Sequence, residues 1–254
     1  MKILSLLSLA IVDSSNFSFS RPINIKIHKD KIYILEITGN LWVLDNLKAN
    51  PILSVRNLNQ PSYDIEFIEE TIFIAHEGTI SKFYNKKLEH VITNLPKYEP
   101  TSTIELTKDT MDNLYIAVSD AIYKYKSNHI KIVAMGFYEP LSLTIDKEGK
   151  LWGIFKINEN DIGIFPVYEN VNYKNIEPII RFNYGEEPTT LIKQKERFLV
   201  SLKSGTILEY SNFKETFKRR VIFKDSNIEI SDFEIYKDYF YILDFRGGKI
   251  YKLK

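Results

Sequence analysis

The amino-acid sequence predicts an all-β protein, a six-bladed β-propeller of four-stranded antiparallel blades. Three observations lead to this fold class. The chain contains sixteen Tyr and sixteen Phe beside many Ile, and these side chains favour strands. Short apolar runs recur six times, each with a polar or glycine-bearing turn inside it. No repeat contains an amphipathic helical stretch, so the period indicates strands and not helical repeats of similar length.

The recurring runs are "KIYILEITGNLWVLD", "TIFIAHEGTISKFY", "NLYIAVSDAIYKYK", "KLWGIFKINENDIGIF", "RFLVSLKSGTILEY" and "YFYILDFRGGKIYKL". The second residues of consecutive runs, from Ile32 to Phe240, are 37 to 47 residues apart. Each unit has room for four short strands, and such a sheet buries its faces only by stacking on others. We therefore predict one propeller domain over residues 1–254. Its predicted blades are approximately 22–58, 62–95, 100–136, 140–184, 188–224 and 229–254 plus 3–12.

The motif "YEP" occurs at Tyr98–Pro100 and again at Tyr138–Pro140. Both copies lie just before the predicted first strand of a blade, and Pro22, Pro61 and Pro188 take the same register. A fixed φ and a missing N–H suit the start of a strand. The motif is therefore a consequence of the repeat.

The N-terminus has two interpretations. The apolar stretch from Ile3 to Val12 precedes the first blade, while the last repeat ends after three strands. Pairing the two would close the ring. The alternative is the apolar region of a secretory signal, for which the stretch is long enough, although no small-residue cleavage site follows Val12. The protein is extracytoplasmic if these residues are a signal and cytoplasmic otherwise.

Composition limits the classes of partner. Lys and Arg total 34 against 33 Asp and Glu, so no excess charge is available to bind nucleic acid or an anionic membrane. The absence of Cys excludes disulfides, thiolate catalysis and Cys-ligated metals. No apolar stretch is long enough for an integral membrane segment. The expected partner is a sugar-like small molecule or a protein at the mouth of the channel.

In a propeller, the loop before each innermost strand and the loop joining the second and third strands emerge on one face. The sequence places many charged or polar residues there: Glu36, Gln60, His76, Glu77, Tyr98, Glu99, Asp120, Tyr138, Glu139, Lys156, Glu159, Asp161, Glu186, Glu187, Lys203, Asp244 and Arg246. Convergent carboxylates can bind Ca²⁺ or sugar hydroxyls, or act as general bases. The alternative for any one of them is a solvated loop charge. His76 is likewise either a base or a packing residue.

Four stretches carry a resemblance to a known family. They are "RPINIKIHKDKIYILEITGNLWVLD", "STIELTKDTMDNLYIAVSDA", "YEPLSLTIDKEGKLW" with "NDIGIFPVYENVNYKNIEP", and "VSLKSGTILEY" with the C-terminal "ISDFEIYKDYFYILDFRGGKIYKLK". Their order resembles the glucose/sorbosone dehydrogenase family. The matches cover nearly the whole chain and are mostly strand and turn residues. The resemblance implies a six-bladed propeller that uses pyrroloquinoline quinone (PQQ) and Ca²⁺ to oxidise aldose sugars.

The resemblance also suggests site residues. Tyr98 or Glu99 takes the place of the family's catalytic His, and Tyr138 takes the place of an Arg that assists the quinone. Lys203 falls where the family has a Lys that contacts PQQ, and Asp161 matches the Ca²⁺ loop only loosely. Glu229–Asp232 stands where the family has arginines, so the cationic contacts expected there are replaced by anions.

Three functions remain open from the sequence. The first is a PQQ-dependent aldose dehydrogenase in which Glu99 is the base and Lys203 contacts the cofactor. The second is a non-catalytic propeller that binds a ligand or a protein, favoured by the loss of the His and the cationic positions. The third is a Ca²⁺-dependent hydrolase or lactonase, for which no metal motif is found.

Overall fold

The computed structural model describes residues 11–14, 17–45, 48–53, 61–95, 103–213 and 216–254. Within these ranges the chain is all β, with 25 strands. The strands are β1 (Ile11–Ser14), β2 (Pro22–His28), β3 (Lys31–Glu36), β4 (Leu41–Asp45), β5 (Lys48–Leu53), β6 (Ser62–Ile68), β7 (Thr71–His76), β8 (Thr79–Tyr84), β9 (Lys87–Ile92), β10 (Ile104–Lys108), β11 (Leu114–Val118), β12 (Ala121–Lys126), β13 (His129–Met135), β14 (Glu139–Ile145), β15 (Leu151–Asn158), β16 (Asp161–Val167), β17 (Val171–Asn172), β18 (Ile180–Arg181), β19 (Pro188–Gln194), β20 (Arg197–Leu202), β21 (Thr206–Phe213), β22 (Thr216–Lys224), β23 (Ile230–Tyr236), β24 (Tyr239–Asp244) and β25 (Lys249–Leu253).

These strands form six sheets, which we number as blades one to six. The blades are β2–β5, β6–β9, β10–β13, β14–β16 with β18, β19–β22, and β23–β25 with β1. Several hairpins turn through two residues with positive φ, as at Lys29–Asp30 and Asn85–Lys86. This backbone matches the twist of the flanking strands. The predicted fold class is confirmed, whereas the single domain over residues 1–254 stays a prediction because the described ranges do not cover it.

The innermost strands of the blades are β2, β6, β10, β14, β19 and β23. Each contacts the innermost strand of the next blade, and β23 contacts β2, so the ring is closed. Strand β1 completes blade six by pairing antiparallel with β25, with Ile11 opposite Leu253 and Ser14 opposite Tyr251. Residues 3–10 of the predicted closing strand lie outside the described residues.

The described residues form six hydrophobic core clusters, one between each pair of neighbouring blades. Between blades one and two, for example, Leu35 and Ile65 are fully buried. Trp42 packs between blades six and one, and Trp152 packs between blades four and five. Both tryptophans therefore contribute to the packing between blades. The apolar faces of the blades pack against one another. The polar side chains of the innermost strands therefore line the channel.

Blade three differs from the predicted four strands. Strand β17, which follows β16 of blade four, adds to it as a fifth strand parallel to β13. Tyr173 then stacks on Phe137 with ring centroids 4.5 Å apart and donates a hydrogen bond to the Pro166 carbonyl at 2.7 Å. Gly136 permits this close approach, because its φ is +92° and a Cβ there would lie 2.3 Å from Asn172 Oδ1. The outer strand of blade four, β18, is correspondingly short.

Candidate functional site

A cavity of about 880 Å³ opens at one end of the channel, within the range of volumes that small-molecule sites have. Loops that precede innermost strands and turns that follow second strands form its rim. Its charged lining includes Glu105, Lys156, Glu159, Glu187, Lys203 and Glu229. We call it the mouth cavity.

Backbone hydrogen bonds fix the rim of the mouth cavity in a repeated way. The residue after a second strand donates its N–H to the carbonyl of the loop before the innermost strand, as in Lys203 to Glu187 at 2.9 Å and Phe245 to Glu229 at 2.8 Å. In blade four the direction is reversed, and Tyr138 donates to Lys156 at 3.2 Å. These bonds explain why the two kinds of loop meet on one face.

The cations of the mouth are already paired with carboxylates. Lys203 Nζ lies 3.3 Å from Glu187 Oε2 and 3.9 Å from Glu229 Oε1. Arg246, which lines a neighbouring cavity that shares Glu187, Lys203 and Glu229 with the mouth cavity, lies 2.9 Å from the other oxygen of Glu229. Lys156 forms an ion pair with Glu139. Glu139, Glu187 and Glu229 are therefore balanced by neighbouring cations.

The predicted site residues are only partly brought together. Lys203 lines the cavity, as expected. Tyr138 is on the rim of blade four with 53% of its surface exposed, but it is not among the residues that line the cavity. Tyr98 and Glu99 lie outside the described residues. Their catalytic and cofactor roles stay predictions.

Asp161 begins strand β16 and forms an ion pair with Arg181, which also pairs with Glu177. The carboxylate that was predicted to bind Ca²⁺ is therefore already paired with an arginine. Among the residues with described positions, no group of three or more His, Asp or Glu side chains could hold a metal ion. The role of Asp161 in metal binding stays a prediction.

His76 is fully buried within blade two and does not line the mouth cavity. Its Nε2 lies 2.6 Å from Ser81 Oγ, and that hydroxyl lies 2.7 Å from His90 Nδ1. Burial, with a smaller contribution from His90, lowers the pKa of His76 to about 4. The packing interpretation of this residue therefore fits better than a base at the mouth.

Two other rim carboxylates hold turns together. Glu36 accepts hydrogen bonds from Ser20 N at 2.6 Å and from Asn40 Nδ2 at 2.6 Å. Asp244 accepts from Glu229 N at 3.1 Å and from Arg246 N at 3.2 Å. Both side chains are about 2% exposed, so they are not available to a ligand.

Below the mouth cavity, the channel narrows to a second cavity of about 320 Å³. Each innermost strand contributes to it the polar residue that directly precedes a buried apolar one. We call this set the channel ring: Asn24, Asp64, Glu105, Ser142, Thr190 and Asp232. In the sequence these residues are polar positions in strands of alternating polarity, a pattern that does not indicate that they converge in the channel.

The channel ring ties neighbouring blades together. Asp64 accepts from Leu106 N at 2.6 Å, Ser142 from Leu191 N at 2.9 Å and Asp232 from Ile25 N at 2.9 Å. These bonds join blades two to three, four to five and six to one. Asp232 accepts two further bonds, from Asn24 Nδ2 at 3.0 Å and Thr190 Oγ1 at 2.6 Å.

Lys26 is surrounded by carboxylates in the channel, with Glu66 Oε2 at 3.7 Å. Burial acts to lower the pKa of Lys26, but Glu66, Asp64, Glu234 and Asp232 outweigh it and raise that pKa above its usual range. Burial raises the pKa of Asp64 to about 7 and of Glu234 to about 7, against the effect of Lys26.

Glu105 differs from the rest of the channel ring because it borders both cavities. It makes no hydrogen bond to any residue whose position is described. Burial first, and then Asp64 and Asp232, raise the pKa of Glu105 well above its ordinary value. Burial and the neighbouring carboxyl groups therefore favour the neutral form of this carboxyl at the floor of the mouth cavity.

No helix among the described residues is long and apolar enough to cross a membrane. No family model matches the chain, and no curated protein matches it. Solved structures do match over nearly its full length.

The PQQ-bound form of an aldose sugar dehydrogenase from Streptomyces coelicolor has a TM-score of 0.82 at 9% identity, and covers 97% of this chain and 98% of its own. The holo form of the PQQ domain of a pyranose dehydrogenase from Coprinopsis cinerea has a TM-score of 0.73 at 8% identity, with coverages of 98% and 97%. A catalytically inactive virginiamycin B lyase from Staphylococcus aureus with quinupristin has a TM-score of 0.65 at 12% identity, with coverages of 97% and 98%. At these identities the likeness is one of fold. The chain has the propeller fold of the PQQ-dependent sugar dehydrogenases, as the sequence resemblance implied.

Proposed function

We propose that this protein binds an uncharged, hydroxyl-rich small molecule, a sugar or a related polyol, in the mouth cavity. The observation that carries this proposal is the pairing of Lys203, Arg246 and Lys156 with carboxylates of the rim. Paired charges still offer hydrogen-bond donors and acceptors, but they present little net charge to a ligand. Such a rim suits hydroxyl groups.

Aromatic residues add to this fit. Tyr63 and Phe245 line the cavity together with Tyr184, which has 87% of its surface exposed. Aromatic rings offer flat apolar faces, on which the C–H face of a pyranose can pack. Asn160 and Asn183 supply neutral amide groups at the same rim. A mixture of ring faces and a few polar groups is typical of small-molecule sites.

PQQ fits these residues poorly. It carries three carboxylates, and each needs a cation or several N–H donors when it leaves water. Lys203 and Arg246 share Glu229, and Lys203 also pairs with Glu187. A trianion would have to displace these partners while Glu159 remained on the same rim. The residues of the mouth therefore do not offer PQQ the free cations that it needs.

A PQQ-dependent sugar oxidoreductase is the second candidate. The fold likeness to two PQQ-containing dehydrogenases and the position of Lys203 favour it. Calorimetric titration with PQQ, with and without Ca²⁺, separates the two candidates. We expect no heat with PQQ and a measurable heat with D-glucose or sorbitol. Binding of PQQ in the micromolar range would overturn the proposal in favour of the oxidoreductase.

A double variant sharpens this test. Glu187→Gln with Glu229→Gln would release Lys203 and Arg246 from their partners while keeping the size of both side chains. We expect PQQ affinity to rise at least about tenfold over the parent protein, because two cations become available to an anion. A matched Glu148→Gln variant, in an exposed turn of blade four, should leave binding unchanged. Equal PQQ affinities in all three proteins would mean that the ion pairs do not determine whether the cavity accepts an anionic ligand.

A further inference from the structure

The channel ring contains one member whose role its neighbours do not explain. Asp64, Ser142 and Asp232 accept backbone N–H groups of the next blade, and Asn24 and Thr190 donate to Asp232. Glu105 occupies the equivalent place in blade three and makes no such bond to the described part of the chain. The ring therefore does not need this side chain to join blades.

Position and length distinguish Glu105 further. Its side chain is one methylene longer than that of Asp64, and it is the member of the ring that, in the ranges described, lines the mouth cavity as well as the channel. A partly buried polar group without a protein partner costs free energy unless something else pairs with it. The open side of Glu105 is the floor of the cavity, so a ligand placed there can supply that partner.

We propose that Glu105 is the specificity-determining residue of the mouth cavity, where its neutral carboxyl group donates a hydrogen bond to an uncharged oxygen of the ligand. This inference rests on the proposed function and deepens it. A protonated carboxyl group donates one hydrogen bond and accepts another, which matches a hydroxyl or a ring oxygen. A carboxylate of a ligand would meet Asp64 and Asp232 close by and would be repelled.

The groups that face Glu105 determine how pH acts on it. Asp64 on β6 and Asp232 on β23 oppose its ionisation, while Lys26 on β2 favours it. When Glu105 loses its proton, the donor is lost and a negative charge appears at the floor. Affinity for an uncharged ligand therefore falls as pH rises.

The test compares Glu105→Gln, which keeps a donor but cannot titrate, with Glu105→Leu, which removes the donor. The probes are D-glucose and sorbitol, and binding is measured by calorimetry at pH 6 and pH 9. We expect the parent protein to lose affinity about tenfold between these values, and Glu105→Gln to remain within about twofold. Glu105→Leu should bind at least about tenfold more weakly at pH 6.

Circular dichroism and the melting temperature check that both variants fold, and Glu148→Gln serves as the exposed control. Equal binding by the parent protein and Glu105→Leu would overturn the inference and leave the proposed function intact. Absence of binding to both probes would overturn the proposed function. In that case the ¹³Cδ resonance of Glu105, assigned by difference with Glu105→Gln, decides. A carboxylate signal at pH 7 would overturn the inference as well, and a carboxylic acid signal would support the donor for an uncharged ligand of another class.

Discussion

The mouth cavity and the channel ring are both built from carboxylates, but they neutralise them in different ways. At the mouth, Glu187 and Glu229 are balanced by Lys203 and Arg246 in ion pairs that reach solvent. In the channel, the lysine at position 26 faces several acids, burial raises the pKa of Asp64 to about 7, and a backbone N–H group donates to the same side chain. The mouth can therefore exchange partners with a ligand, whereas the channel stabilises the closed propeller.

The largest effect is expected for Asp232→Ala. Asp232 accepts hydrogen bonds from Asn24, Ile25 and Thr190, so its removal leaves three donors in blades one and five without this partner. We expect the free energy of unfolding to fall by about 3 to 4 kcal/mol in urea denaturation. The control is Asp161→Ala, which breaks a solvent-exposed ion pair and should cost less than about 1 kcal/mol. Similar losses in both variants would remove the distinction between the two regions.

A slightly smaller effect is expected for Lys26→Met. The lysine side chain is 23% exposed and compensates carboxylates of two strands, β6 and β23. Removing one partner of a buried charge cluster costs about 3 kcal/mol at pH 8. At pH 5 the loss should be smaller, because the carboxylates then take up protons. A loss that does not depend on pH would show that packing, and not charge, is the contribution of Lys26.

An intermediate effect is expected from Glu234→Gln as a function of pH. The pKa of Glu234 is raised by burial to about 7 in the folded protein, whereas an unfolded Glu titrates at about 4.3. Between these values the folded state holds a proton that the unfolded state releases, so this group's contribution to stability falls as pH rises and levels off above about 7. Gln does not titrate. Relative to the parent protein, the variant should therefore gain at least about 1 kcal/mol between pH 5 and pH 8. A constant difference in urea denaturation across that range would contradict the raised pKa.

The smallest effect on stability is expected for Lys203→Met. Its side chain is 53% exposed and its two ion pairs are screened by solvent. The free energy of unfolding, measured by thermal denaturation, should therefore fall by less than about 1 kcal/mol, and by less still in high salt. A loss as large as that of Lys26→Met would mean that the mouth, like the channel, holds the ring together.

Much of the fold could be predicted because its determinants are local. Short stretches of sequence indicate the strands, the turns and the period near forty residues. The stacking of blades follows because each blade has two apolar faces to bury. The same register brought Lys203 to the mouth cavity. The parallel strand β17 was not predicted, since two residues paired to a neighbouring blade leave no periodic signal.

The site was predicted less well, for a physical reason. Whether a polar residue near a strand end faces the rim or the sheet depends on which face of the sheet it takes, and this is why His76 turned out to be buried. Asp64, Glu105 and Asp232 lie in strands in which polar and apolar residues alternate. This pattern predicts that the polar side chains face solvent. Their burial is created by the closing of the ring, which no single repeat contains. A signal was present in the acidic residues at matching register in three of the repeats.

The crossing of β17 from blade four onto blade three has a consequence for how the molecule opens. Tyr173 packs in the cluster shared by both blades, and its hydroxyl is bonded to blade four. These two blades should therefore exchange their amide protons as one cooperative unit in native-state hydrogen exchange. Strand β1 links blades six and one in a similar way. In the described ranges the other neighbouring blades are joined by side chains and hydrogen bonds without a strand shared between them, so local opening should begin there.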